Sequence, residues 1–464
     1  MPKRRPRLLY LAFYFPPSRA SGIHRARATA NRLADQGWDV TVFAAPLPFL
    51  YDTIGSVDEK LMRTIDPRIA VVRPELNRYT WQTDLRDFSG FRGRFPHLAH
   101  SAYLWGQKHI FPERYLSWAR ASVNRALRMH ARRRFDVVLA TGNPFASFGA
   151  AWLFHRLTRT PYVIDYRDSW TLDQFNEKPR FDDEHGSWRW ESRVLKSAAN
   201  SVFVNEAQRT WHAERYPEVA DRMMIVMNGW DADTLPDTPE PPPAARARSG
   251  ERGLRFTFIG TITAEQPIEQ MVEGFGRARE HPEMAGAGLD LYGYFGFFKG
   301  AAGPLRGRFG GPSGDQDGQD EQALAPGVSY CGPLSKTELA DVYRDSDVLV
   351  FLNGGGRYVT SGKIFEYMAA GRPIVSVHAP GSAAEELLRD YPLWFNPGGL
   401  DPADIASSMV AAAKAAAGLD QRQVDEARAY AERFERTVAL EPLVRRLAEL
   451  TTRKRASLDD HARR

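Results

Sequence analysis

The chain predicts an α/β protein with two parallel sheets, each covered by helices on both faces, and three features of the sequence carry that prediction. First, short apolar runs alternate with helical patterns along most of the 464 residues. Strands are predicted at 7–13, 39–44, 69–73, 136–140, 161–165, 200–204 and 223–227, with helices at 23–36, 117–134, 146–157, 187–198 and 206–215. Second, the alternation stops at 235–253, LPDTPEPPPAARARSGERG, a stretch too rich in proline, charge and small residues to continue a core element, and then resumes. Further strands follow at 255–259, 288–293, 328–331, 347–352, 373–377 and 392–395. Third, the segment from Val348 to Val377 reads as apolar strand, glycine-rich loop, helix and strand, with Glu366 on the first turns of a helix that runs out at Gly371. The predicted organisation is a domain over 1–234, a linker over 235–253 and a second domain over 254–425, followed by helices over 426–452 and a tail over 453–464.

With 43% hydrophobic residues and this length, the chain can bury two large cores. Its single cysteine, Cys331, leaves neither an internal disulfide nor a multi-cysteine zinc site, which favours a reducing cytoplasm. The opening MPKRRPRLLYLAFYFPP imitates a signal peptide, but it continues into Pro16-Pro17 without a small-residue cleavage site and is read as the first strand. No run approaches the roughly 18–20 apolar residues that span a bilayer. Charge is unevenly placed: residues 1–136 hold 24 Lys/Arg against 11 Asp/Glu, although the whole chain carries a formal net charge of only +5.

Two stretches interrupt the alternation. Residues 296–327 combine many glycines with GPSGDQDGQDEQ and are predicted to be a surface loop. Residues 77–116 instead interleave aromatic rings (Trp81, Phe88, Phe91, Phe95, Tyr103, Trp105, Phe111, Tyr115) with Arg86, Arg92, Arg94, Lys108 and Arg114. Such a segment is expected to cap an acceptor site, and the wider stretch 77–134 to offer a peripheral contact to anionic membrane lipid.

In an open parallel sheet, ligands bind at the carboxyl ends of the strands, where helix N-termini offer backbone N–H groups to phosphate. A carboxylate one turn into such a helix can hold a ribose diol. Residues 361–377, SGKIFEYMAAGRPIVSV, resemble the nucleotide-sugar site of GT-B glycosyltransferases, in particular the retaining group called family 4. Taken as an ordinary parallel-sheet unit, the same segment leaves Glu366 as an exposed surface residue. The resemblance continues through YLAFYFPPSRASGIHRARATANRLADQGWDVTVF near the N-terminus, PYVIDYRDSW at 161–170, MNGWDADTL at 227–235, FTFIGTITAEQ from 256 and YCGPLS at 330–335. It implies the GT-B architecture, two Rossmann-like domains whose parallel sheets face each other across a cleft, with the C-terminal helices crossing back to the first domain.

The resemblance also implies roles. Glu366 would hold the ribose. Gly22, Gly260, Thr261, Ser361, Gly362, Lys363 and Ile364 would line the donor diphosphate, and Gly332 and Leu334 would meet the base. His24, Arg167 and Asn228 would face the acceptor, with Asp168, Asp165 and Lys363 carrying the chemistry. Taken without the resemblance, Gly22 reads equally as a structural turn residue, and Asp165, Arg167 and Asp168 as an ion pair tying down a loop. Two departures stand out. The Arg and Lys that many members carry after the glycine of the first C-terminal strand are replaced by Thr261, Thr263, Glu265 and Gln266, and the paired glutamates are halved, with Tyr358 eight residues before Glu366. Lys363 is expected to supply part of the missing positive charge.

The implied activity is retaining transfer of a hexosyl or N-acetylhexosaminyl group from a nucleoside diphosphate sugar to a hydroxyl acceptor. That acceptor would be a glycan, a lipid-linked glycan or a small metabolite in cell-surface glycan or glycosylated-metabolite biosynthesis. The cleft segments are read without a metal motif, so no cofactor or required metal is expected. A nucleotide-sugar 2-epimerase of the same fold is the enzyme alternative. The stripe Arg125, Arg128 and Arg132 admits a nucleic-acid- or polyanion-binding protein, but no nucleic-acid reading motif accompanies it, and no nucleic acid is expected as a partner. An NAD-dependent oxidoreductase is disfavoured because FPPSRASG lacks the glycine pattern of a dinucleotide-binding turn.

Overall fold

The computed structural model describes residues 4–20, 22–77, 79–82, 84–232, 253–295, 322–334 and 338–463. The predicted linker thus lies, apart from Gly253, outside the described residues, as does 296–321 of the predicted loop. The chain divides into two compact units, Met1–Asp173 with Lys178–Met227 and Leu440–Arg464, and Gln174–Glu177 with Asn228–Ala439.

The first unit is built on a seven-stranded sheet. Its strands are β1 (Arg7–Leu11), β2 (Asp39–Phe43), β3 (Ala70–Val72), β4 (Val137–Gly142), β5 (Tyr162–Tyr166), β8 (Asn200–Phe203) and β9 (Met223–Ile225). The two-residue strands β6 (Leu172–Asp173) and β7 (Lys178–Pro179) pair only with each other. The order β3-β2-β1-β4-β5-β8-β9 reverses direction between β1 and β4, and each neighbouring pair is parallel. Alternation along β1 sorts its side chains onto two cores: Leu9 and Leu11 pack with Phe13, Trp118 and Phe148, whereas Leu8 and Tyr10 pack with Ala26, Ala30 and Leu33 of the helix Ile23–Asp35. The C-terminal helix, Arg436–Arg463, adds Leu440, Leu443, Val444, Leu447 and Leu450 to that second core. It continues past residue 452, where the sequence reading begins a tail.

The second unit holds β10 (Arg255–Ile259), β11 (Gly288–Tyr292), β12 (Gln322–Ala325), β13 (Val328–Gly332), β14 (Val348–Asn353), β15 (Ile374–His378) and β16 (Trp394–Phe395), in the order β12-β13-β11-β10-β14-β15-β16. The order reverses between β10 and β14. β14, VLVFLN, is buried throughout, as a central parallel strand covered on both faces must be. One prediction needs correction: β12 falls inside the stretch read as a loop and pairs antiparallel with β13, so this sheet is mixed at its edge. Its turn is Pro326-Gly327, where Gly327 takes φ +76°. Among the described residues, no helix is long and apolar enough to cross a membrane.

Candidate active site

In doubly wound sheets the crevice beyond the carboxyl ends of the strands, at the point where strand order reverses, is the place for ligands. In the second unit that point lies between β10 and β14. β14 runs into a loop shaped by Asn353, whose amide donates to Gly355 O at 2.9 Å and to Ser382 Oγ at 2.7 Å while its Oδ1 accepts the Gly355 N–H at 3.3 Å. Gly354 passes so close to the 260–267 loop that a Cβ would come within 2.1 Å of Glu265 O. Asn353 was not singled out from sequence; a polar residue ending an apolar strand just before three glycines was the available signal.

The helix Lys363–Ala370 follows, with Gly362 at its N-cap and Gly371, at φ +66°, closing it in the left-handed conformation. Ile364 to Ala370 are all buried, so the helix is clamped by the core. Tyr367 fixes its position against β10: its hydroxyl accepts the Ile259 N–H at 2.7 Å and lies 3.2 Å from Ile259 O, to which it donates. At Gly362, by contrast, an added Cβ would meet nothing within 4 Å and φ is −63°, so the fold itself does not demand glycine there.

Glu366 is not the exposed surface residue of the alternative reading; only 8% of it is exposed. Its Oε2 accepts from Tyr343 OH at 2.7 Å and from Lys363 Nζ at 2.7 Å. Burial, with the Glu366 charge beside it, pushes the Tyr343 hydroxyl well above its ordinary pKa and keeps it a donor. Lys363 is therefore held one turn back on its own carboxylate, at the N-terminal end of the helix, where the helix dipole also favours anions. Ser361 Oγ accepts the Lys363 N–H at 3.4 Å. Gly260 and Gly332 lie on the same carboxyl edge: the Gly260 N–H donates to Tyr292 O at 2.9 Å, and Gly332 O accepts the Gly293 N–H at 2.9 Å. Thr261 and Leu334 are half-buried beside them in sequence, whereas the Ile364 side chain is in the core and can serve a ligand only through its backbone. Asn228 belongs to this unit as well, with its amide 3.5 Å from Thr360 O.

In the first unit the candidates divide. Asp165, within β5, is fully buried, and both its oxygens are taken by Arg25, at 2.8 and 2.9 Å; Arg25 also donates to Met227 O at 2.9 Å. That pair ties β5 to the first helix. Arg167 and Asp168, just beyond the strand, form a second pair at 2.5 Å, and the Asp168 side chain is 37% exposed, so it is the carboxylate that solvent reaches. Gly22 packs against this pair, since a Cβ there would lie 2.5 Å from Arg167 Nε. His24 sits half-buried on the first turn of the same helix.

Behind this edge, the fully buried Glu191 accepts from Thr171 Oγ1 (2.5 Å), Tyr216 OH (3.0 Å) and Tyr166 OH (3.2 Å), which fixes the loop that carries Arg167 and Asp168. Ser169 Oγ and Glu191 both approach the same ring nitrogen of the buried His212, at 3.2 and 3.5 Å, so this trio is a positioning network without the geometry of a nucleophilic triad. Sequence reasoning also passed over Glu113, the single acid in the basic segment from Phe88 to Arg128. Its Oε1 accepts the Phe145 N–H at 3.0 Å, just past the end of β4; its Oε2 is buried without a hydrogen-bond partner among the described residues. Burial pushes its carboxyl up to about 7.

A folded pKa above the unfolded value means that the folded chain binds the extra proton. Stability from this group is therefore full below the ordinary glutamate range, near 4.5, and is lost as pH rises through about 7. Glu113→Gln is expected to remove that loss, which is at most about 3 kcal/mol, and to be more stable than the parent at pH 8. Urea melts of both proteins at pH 5 and 8 check this; an unchanged pH dependence contradicts it.

Three Asp-x-Asp strings qualify the sequence reading on metal, and one of them, Asp315-Gln316-Asp317, lies outside the described residues. Asp347 of Asp345-Ser346-Asp347 lies before β14, at the opposite end of the sheet, and accepts the Arg255 N–H at 2.7 Å. Asp231, which begins the third, is paired with Arg436 at 3.0 Å, and Asp233 lies outside the described residues. Among the described residues, no group of three or more metal-ligating side chains is assembled.

Comparison with known proteins identifies the family. Residues 22–229 match the family model for a glycosyl transferase 4-like domain, and residues 302–414 match that for glycosyl transferases group 1. The chain is a GT-B glycosyltransferase of the family 4 type. The first match runs from Gly22 to Gly229, and the second takes in β14 and the whole Lys363–Ala370 helix; β10 and Gly260 lie between the two. No curated protein sequence matches the chain. Among solved structures, a glycosyltransferase from Rickettsia africae is similar at 12% identity and TM-score 0.60, covering 96% of this glycosyltransferase and 98% of its own chain. Anabaena Alr3699/HepE in complex with UDP-glucose is similar at 13% identity and TM-score 0.59, over 96% and 99%. The α,α-trehalose 6-phosphate synthase of Burkholderia multivorans is similar at 15% identity and TM-score 0.59, over 99% and 98%. At these identities the likeness establishes the fold.

Proposed function

We propose that this glycosyltransferase binds a nucleoside diphosphate sugar at the β10/β14 edge of its second unit and transfers the sugar, with retention, to a hydroxyl acceptor. The observation that carries the reading is the Glu366 site: a buried carboxylate on the first turns of a core-clamped helix, anchored by Tyr343 and neighboured by Lys363, next to a glycine whose missing side chain faces open space. Glu366 then holds the ribose hydroxyls, and the N-terminal N–H groups of the helix, with Lys363, receive the diphosphate. Because Lys363 is paired with Glu366, donor binding divides the ammonium between carboxylate and phosphate. On the first unit, Arg167 and Asp168 are the groups available to orient an acceptor hydroxyl. Charge on the leaving diphosphate is met by the helix N-terminus and Lys363, so transfer proceeds without a required metal. Activity that survives exhaustive chelation fits this; activity lost to chelation and restored by a divalent cation does not.

Uridine diphosphate sugars are the first to test, since the Anabaena neighbour was solved with UDP-glucose. Incubating the protein with a UDP-hexose and separating free epimer from transferred sugar distinguishes transferase from 2-epimerase. Sugar appearing on an added hydroxyl acceptor supports the reading; free epimer without transfer overturns it. Within the donor site, Glu366→Ala is expected to weaken nucleotide binding by roughly 10–100-fold, from the loss of hydrogen bonds to a charged acceptor. Calorimetric titration of the folded variant checks this, and unchanged affinity removes Glu366 from the site.

A further inference from the structure

The segment that follows β3 is poorly buried for its composition. Of the fourteen residues in the helix Pro96–His109, only Ala99 is buried. Leu85, Phe91, Phe95, Leu98, Trp105 and Ile110 are each 48–77% exposed, a density that scattered surface apolars do not reach. Leu98 and Trp105 are seven residues apart and therefore share one face of the helix. The charge around them is mainly positive: residues 85–124 hold six Lys/Arg and three His against two acids, Asp87 and Glu113. Behind the helix lies a cavity of about 620 Å³, lined in part by Tyr79, Tyr103, Arg114 and Arg120 and by the exposed Phe91. Tyr79 and Tyr103 stack at 4.8 Å along its wall. Arg114 and Arg120 make no ion pair or hydrogen bond among the described residues, and their side chains are exposed.

We propose that residues 85–124 dock this glycosyltransferase on an anionic phospholipid bilayer. The exposed side chains of the 85–110 stretch enter the interface, and the cavity behind them takes a lipid phosphate against Arg114 and Arg120. Apolar side chains that penetrate the headgroup boundary, flanked by cations that stay at its level, are the two elements of interfacial binding, and here they occupy one short stretch of chain. An occupant of opposite charge is selected because cations outnumber acids in this stretch and Arg114 and Arg120 form no ion pair among the described residues.

Flotation of the full chain with vesicles tests this, using phosphatidylcholine alone or with 30% phosphatidylglycerol. The expected result is binding to the anionic vesicles only, weakened by 0.5 M salt. The pair Leu98→Asp with Trp105→Asp, both at exposed positions, is expected to lower binding by about tenfold or more, with unchanged circular dichroism and thermal melt. Arg114→Gln with Arg120→Gln is expected to lower binding to anionic vesicles while leaving the melt in place. Failure to bind anionic vesicles at low salt overturns the proposal, and so does binding that the Leu98/Trp105 variant retains in full. A dimer in solution that the same variant dissolves would assign this face to a second copy and also overturn it. None of these outcomes depends on the donor or on turnover.

Discussion

Lys363→Ala is expected to lower kcat by about 10²–10³-fold, with a smaller rise in donor KM. As the glycosidic bond breaks, the diphosphate gains negative charge, so a cation beside it stabilises the transition state more than the bound donor. The Arg and Lys common after the first glycine of this unit are absent, and Thr261 and Thr263 stand there instead. Lys363 lies 2.7 Å from Glu366 on the first turn of the helix, so its loss also takes a positive charge away from the Glu366 carboxylate that an incoming anion must approach. That second effect is the source of the KM change. Lys363→Arg should restore only part of the rate, because a planar fork replaces a compact point charge and no longer fits the i,i+3 pairing in the same way. Steady-state kinetics of the three proteins against one donor decide the matter. Parent kcat in Lys363→Ala would place the phosphate contact on another cation.

Arg25→Met is expected to destabilise the fold by about 3–5 kcal/mol, because it strands the fully buried Asp165 without the guanidinium that takes both its oxygens. Arg25→Met with Asp165→Leu should recover most of that loss, since a buried pair replaced by apolar residues of similar size is often neutral. Urea denaturation of the parent, the single variant and the double variant measures both effects. A single variant as stable as the parent would mean that Asp165 is solvated and free for chemistry. Asp168, already exposed, can be neutralised as Asp168→Asn without this penalty, so the two carboxylates are separable by stability as well as by rate.

The difference between these two aspartates shows how far the sequence could be read. Alternation along β5 places Tyr162, Ile164 and Tyr166 on one core and Val163 on the other, which puts Asp165 on the face that the first helix covers. That much is period two, and local. That Arg25 waits there, 140 residues away in sequence, is a tertiary fact that no local pattern encodes. The central strands were legible because continuous apolar runs such as Val348–Leu352 can only be buried on both faces. β12 was not, because its four residues follow a glycine-rich polar stretch and gain their pairing from β13, although Pro326-Gly327 marked the turn. The aromatic stretch was legible only in bulk. Trp118 is wholly buried and donates to Ala44 O, Phe111 packs against Trp190, and Trp105 lies on the surface; composition does not say which ring goes where. In the donor site, the positions of Glu366 and Lys363 on the helix were readable, but their mutual ion pair and the Tyr343 anchor were not.

A calorimetric titration of the parent protein with UDP, GDP, TDP and ADP, repeated on Glu366→Ala, tests the donor site most directly. A nucleotide that binds the folded state also raises the melting temperature by mass action, which gives an independent readout on the same samples. The predicted result is saturable binding of at least one of the four diphosphates, weakened by roughly 10–100-fold in the variant. No binding of any of the four by the folded parent, or binding that Glu366→Ala leaves untouched, would contradict the assignment of the β10/β14 edge as the donor site.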